Sequence, residues 1–178
     1  MQQEQQTSAG TPESKKKALA TAANVLTYKN RSAAALYDRL LEKEIAEEDA
    51  AYAVARLIEL GFLNDETYGQ HVVEQCRAKG WGRSRIAQEL KKKQLEPEMI
   101  DLLLEDFEPD YEKMQKMIAA KLKGNPHPDR AAIKKVTDSL ARKGFGWSQI
   151  KQALDGYMAS MEEVESAAYM NMYWEEIE

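Results

Sequence analysis

Two stretches of the chain are copies of one another. Lys79-Gly80-Trp81-Gly82-Arg83-Ser84-Arg85-Ile86-Ala87-Gln88-Glu89-Leu90 and Lys143-Gly144-Phe145-Gly146-Trp147-Ser148-Gln149-Ile150-Lys151-Gln152-Ala153-Leu154 match at a spacing of 64 residues, with the Gly-aromatic-Gly, Ser, Ile, Gln and Leu in register. Such duplication confines the fold to a set of similar supersecondary units. A weaker match at an offset of 50 pairs Leu36 with Ile86, Leu40 with Leu90, Lys43 with Lys93 and Ile45 with Leu95, which extends the count to three units.

Apolar spacing within the units is helical. Ala18, Leu19, Ala22, Val25 and Leu26 form an i, i+4, i+7 stripe from about Lys15. A second helix, Ala33 to Lys43, is capped by Ser32 and places Leu36 and Leu40 on one face. Glu48 to Leu60 turns Ala50, Val54, Leu57 and Ile58 inward, and Gly61 is placed to stop it. The second unit opens at Asn64-Asp65-Glu66 and carries Tyr68, Val72 and Cys76, then Ile86 and Leu90. A helix opened by Pro97 follows, with Ile100, Leu103 and Leu104 facing the core. In the third, a helix with Tyr111, Met114, Ile118 and Leu122 precedes a Gly124-Asn125-Pro126-His127-Pro128 break. Ile133, Val136 and Leu140 then face inward up to the second glycine turn, beyond which lie Ile150 and Leu154.

No alternating apolar run is long enough for a strand. The expectation is an all-α chain of three tandem three-helix repeats in an elongated array, curved or straight. Its parts are a flexible tail over 1–14, repeats over 15–63 and 64–108, a third over 109–160 with an extra preceding helix, and an acidic segment over 161–178.

The formal charge of -5 conceals strong segregation. Arg77, Lys79, Arg83, Arg85, Lys91, Lys92 and Lys93 stand against the single acid Glu89, whereas Glu96 to Glu112 holds eight acids and no base. Seven acids and no cation follow Lys151. A dense basic band suits an anionic partner surface, although cations also stabilise helix C-termini without any partner. Trp81 and Trp147 add contact aromatics, Trp147 being the better surface candidate because its counterpart is Arg83. Arg142 and Lys143 bring charge to the second copy of the turn.

Other chemistries find little footing. The Gly-aromatic-Gly turn follows a helix and lacks a Gly-Lys-Ser/Thr ending, so it is not a phosphate loop. Its first Gly is suited to positive φ at a helix stop, and its second to clearing space for the next helix start. His71 and His127 lie far apart with no ligand-spaced partner, so no metal is expected. No Ser/His/Asp or Cys/His arrangement and no distinct acid/base pair appears, so neither catalytic residues nor a cofactor are expected. Cys76, the only cysteine, is expected in the core of a reduced, cytoplasmic protein, and no apolar run is long enough for a membrane span.

The tandem plan, Gly61-Phe62-Leu63-Asn64-Asp65-Glu66-Thr67-Tyr68, and Arg77 to Leu90 together resemble the RecX family of recombination regulators, and the resemblance runs from about Ala18 to Gly156. It implies a protein that binds the filament of the RecA recombinase on DNA and inhibits its ATPase, strand-exchange and coprotease activities without itself being an enzyme. Arg77, Lys79, Trp81, Arg83 and Arg85 carry over as interface candidates on the matching motif. Lys91, Lys92, Lys93, Arg142, Lys143 and Trp147 join them on charge and exposure. Single- or double-stranded DNA is a further candidate partner of the basic middle repeat, and a monomer is expected. The acidic ending from Met161 weighs against direct DNA contact by the last unit. Two other readings compete: a helical-repeat DNA-binding protein acting without RecA, and a protein-interaction adaptor.

Overall fold

The computed structural model describes residues 10–125 and 127–175, with side chains through residue 164. Among these are nine α-helices and no strand: α1 (Pro12–Tyr28), α2 (Ala33–Leu41), α3 (Glu47–Glu59), α4 (Asp65–Ala78), α5 (Arg83–Lys92), α6 (Pro97–Leu103), α7 (Tyr111–Leu122), α8 (Arg130–Arg142) and α9 (Trp147–Glu175). The chain divides into two compact units, Met1–Glu74 with Glu89–Glu105, and Gln75–Gln88 with Asp106–Glu178. No helix among the described residues is long and apolar enough to cross a membrane.

The first unit is centred on α1, α2 and α3, whose Ala18, Ala22, Leu36, Leu40, Ala50 and Ala53 are fully buried. Helix α1 starts three residues ahead of the expected Lys15, because Thr11 caps it by accepting from Ser14 N at 3.1 Å and Pro12 occupies the first turn. Of the expected tail, residues 1–9 lie outside the described residues. In α3 the inward face is Asp49, Ala50, Ala53 and Leu57, so Ile58, expected inside, is half exposed.

Helix α2 is tied into the first unit through its N-terminus. Ser32 is fully buried; its hydroxyl accepts from Ala35 N at 3.2 Å and donates to Lys93 O at 2.6 Å. Asp65, at the start of α4, accepts from Ala33 N at 2.8 Å. Burial pushes the Asp65 carboxyl above its usual range, and the Ala33 N–H pulls it partly back. Ser32→Ala removes a cap and leaves the Lys93 carbonyl without its donor, so chemical denaturation should show a loss of about 2 kcal/mol. A loss within a few tenths of a kcal/mol would mean that solvent replaces both bonds.

Backbone geometry confirms the faint 50-residue match. Glu44 and Gln94, the residues between its last two aligned pairs, both take the left-handed conformation, at φ 61 and 59. The closures agree as well: Ile45 N donates to Leu40 O at 3.1 Å, and Leu95 N to Leu90 O at 3.3 Å. Non-glycine residues rarely accept this conformation, so the shared exception marks shared architecture.

The second unit holds a core of Met114, Ile118, Leu122, Val136, Leu140, Phe145, Ile150, Ala153 and Tyr157. The helix expected as an addition ahead of the third repeat, α7, is thus one of the three that build this core. By the position of the glycine turn, α8 and α9 stand where α4 and α5 do. Their third helix precedes them, whereas α6 follows its pair. Cys76 is buried at 2% exposure, as expected of a core thiol.

Candidate partner-binding surface

The second unit contains both copies of the glycine turn. At the end of α4, Gly80 has φ 67, with Gly80 N donating to Arg77 O at 2.9 Å and Trp81 N to Cys76 O at 3.1 Å. At the end of α8, Gly144 has φ 90, and the same two bonds recur from Gly144 N to Ala141 O at 2.9 Å and Phe145 N to Leu140 O at 3.3 Å. Each turn is a helix stop that returns two orphaned carbonyls to donors.

The two turns also pack against each other. Gly82 N donates to Lys143 O at 2.7 Å and Ser84 N to Gly144 O at 3.2 Å, so main-chain carbonyls of one copy satisfy the open N–H groups at the start of α5 in the other. A Cβ on Gly82 would stand 2.5 Å from the Gly144 carbonyl, and one on Gly144 would stand 2.4 Å from Arg85 N. Gly82 therefore makes room for the partner turn rather than only for its own helix start. Gly146, its sequence counterpart, faces open space, with Gln149 Oε1 at 3.8 Å as the nearest atom to an added Cβ.

This pairing explains where the copies diverge. The N-terminus of α9 is closed from within, because Gly146 N donates to Gln149 Oε1 at 3.0 Å. In α5 the equivalent N–H already has Lys143 O, so position 85 is released from capping. Arg85 instead donates Nη1 to Arg142 O at 3.1 Å and lies over the Trp81 ring at 4.2 Å. Lys79 Nζ stands 5.2 Å from the same ring.

Other cations close helix ends. Lys143 Nζ donates to Lys79 O at 3.4 Å, while Lys113 Nζ donates to Arg77 O at 3.2 Å and Ala78 O at 2.7 Å at the end of α4. Arg77 rests over Phe107 at 5.5 Å. Part of the basic band therefore has an intramolecular duty, as cations at helix C-termini commonly do.

Of the candidates named from the sequence, the structure gathers Lys79, Trp81, Arg85, Arg142 and Lys143 about the paired turns, with Arg77 at the end of α4. Arg83, Arg142 and Trp147 are exposed, Trp147 at 67%, whereas Trp81 is half-buried. Lys91, Lys92 and Lys93 belong to the other compact unit, where Lys93 Nζ pairs with Glu89 at 3.3 Å and its carbonyl serves Ser32. The sequence reading missed Lys113 and Phe107. Lys113 sits three residues after the capping Asp110, and its acceptors lie 36 and 35 residues earlier in the chain, a contact that local spacing does not disclose. Among the described residues no three His, Cys, Asp or Glu side chains are grouped to hold a metal ion.

Comparison with known proteins agrees with this architecture. The chain matches the RecX first, second and third three-helix domains over residues 18–57, 64–104 and 108–154. It is 30% identical over 140 residues to the regulatory protein RecX of Trichlorobacter lovleyi, covering 75% of this chain and 91% of that one. It is 32% identical over 139 residues to that of Streptomyces lividans, covering 74% of each. The crystal structure of RecX from Lactobacillus salivarius superposes with a TM-score of 0.76 at 22% identity, over 83% of this chain and 98% of that one, which attests the fold. Three domain matches in consecutive order, joined to relatives of this identity and coverage, make the chain a member of the RecX family of regulatory proteins.

Proposed function

We propose that the protein binds the filament of the RecA recombinase on DNA and restrains its ATPase, strand-exchange and coprotease activities, acting in the cytoplasm as a binder and not as an enzyme. The observation that supports this most is the pairing of the two turns. It fixes a cluster of guanidinium, ammonium and indole groups on rigid main chain, and exposed Arg83, Arg142 and Trp147 belong to the same two motif copies. Arg and Trp anchors on a preorganised frame are the groups that carry binding energy at protein and phosphate surfaces.

The test is ATP hydrolysis by RecA on single-stranded DNA, with and without the protein. Hydrolysis should fall as protein is added. Arg83→Glu, Arg142→Glu and Trp147→Ala together should raise the concentration for half-inhibition by about tenfold or more, roughly 1.4 kcal/mol. These positions are chosen because they are exposed, whereas Arg85, Lys113 and Lys143 close helix ends. Unchanged hydrolysis at saturating protein overturns the proposal.

A further inference from the structure

The first unit holds an arginine without an acceptor. Arg31, in the link between α1 and α2, is half-buried, and its Nε is closed off from solvent with no hydrogen-bond partner. Its other guanidinium nitrogens meet no hydrogen-bond or ion-pair partner among the described residues either. A guanidinium is a fork of donors, and donors withdrawn from water are ordinarily paired because leaving them unpaired is costly. Arg31 is thus placed to take an acceptor from outside the chain.

Its surroundings narrow what that acceptor is. Arg31 lines an open cleft of about 440 Å³ whose other walls include Leu26, Phe62, Leu63, Tyr68 and His71, and no Asp or Glu lines it. Asp65 and Glu66, which fall between lining residues in sequence, are engaged elsewhere, Asp65 with Ala33 N at 2.8 Å and Glu66 with Gln70 Nε2 at 3.2 Å. The chain has no acid between Glu13 and Asp38, while exposed Lys29 stands two residues before Arg31. Helices α1 and α3 run parallel: Gly10 and Lys15 meet Asp49 and Glu48 at one end, and the cleft lies at the other. At that end Tyr28 is 90% exposed, Phe62 72%, and Ile58 and Leu60 are half-exposed.

We propose that this end of the first unit binds an acidic peptide segment, with a carboxylate paired to Arg31 in the cleft and a neighbouring apolar side chain packed on Phe62. The surface lies apart in sequence from the paired glycine turns, and the proposal does not rest on the filament reading. Charge complementarity selects the carboxylate: a guanidinium takes it through two parallel hydrogen bonds, and no acid of the cleft competes. Phosphate would be served by the same fork, but the exposed apolar rim would contribute nothing to it. A ligand confined to the cleft would leave Tyr28, Ile58 and Leu60 in water, since none of them lines it. A clustered apolar rim about a buried Arg is the composition of a peptide-docking surface.

The experiment is fluorescence anisotropy of fluorescein-labelled decapeptides with the full chain, in the absence of RecA and DNA. One set sets Leu or Phe at varied spacings from paired Glu and Asp; a second replaces the acids with Gln and Asn, and a third replaces the apolar residues with Ser. Saturable binding is expected from members of the first set alone. Arg31→Gln should weaken it by about tenfold or more, and Arg31→Lys should recover only part, because a point charge does not reproduce the fork. Phe62→Ser should weaken it by about fivefold or more, and this exposed position decides the matter if Arg31→Gln fails to fold by circular dichroism. The denaturation midpoint of Arg31→Gln should not fall, since no bond within the chain is lost, whereas a purely structural Arg31 would lower it. The proposal is overturned if no peptide of the first set binds, if the acid-free set binds as well, or if a folded Arg31→Gln or Phe62→Ser variant binds like the parent. It is also overturned if inorganic phosphate displaces the peptide beyond the effect of sodium chloride at equal ionic strength, which would make the cleft a phosphate site.

Discussion

Replacing Gly144 with alanine is expected to destabilise the Gln75–Gln88/Asp106–Glu178 unit by about 3 kcal/mol or more, and replacing Gly146, two residues on, by under about 1 kcal/mol. Two costs combine at Gly144. At φ 90 an L-residue is strained by about 1–2 kcal/mol. The added Cβ also meets main chain and the root of a side chain, with Arg85 N at 2.4 Å and Arg85 Cβ at 2.7 Å, so no rotamer change relieves it. The turns would have to separate, and with them the bonds from Gly82 N and Ser84 N. At Gly146 the nearest atom is 3.8 Å away. All three tryptophans belong to this unit, so guanidinium denaturation followed by tryptophan fluorescence reports on it selectively. Equal losses at the two positions would mean that the glycines serve only their own turns.

That contrast shows what the sequence discloses and what it hides. Helix faces were legible because period and burial coincide: Leu36, Leu40, Ile86, Leu90, Met114, Ile118 and Leu140 were all expected inside and all are. Stops at Gly61, Gly80 and Gly144 were legible because positive φ selects glycine. The role of Gly82 was not, since its constraint comes from a residue 62 positions away in the chain. Nor could spacing reveal that Arg85 and Lys143 are spent on carbonyls, because a cation looks the same in sequence whether it faces a helix end or a partner.

Tyr157→Ala should cost about 3–5 kcal/mol in the same unit, and Tyr157→Phe about 1–1.5 kcal/mol. The ring is 2% exposed and packs with Met114, Ile118, Leu122, Val136 and Leu140, although it lies three residues beyond the end of the third-domain match at residue 154. Its periodicity was visible two turns after Ile150, but a closing segment rich in acids reads as surface. Deleting the ring opens a cavity that α7, α8 and α9 all line, which sets the larger figure. The hydroxyl donates to Asn125 O at 3.1 Å, in the connection that carries the chain from α7 to α8. The phenylalanine variant leaves the ring in place and strands only that carbonyl, hence the smaller figure. Denaturation curves for the two variants that coincide would sink the packing argument.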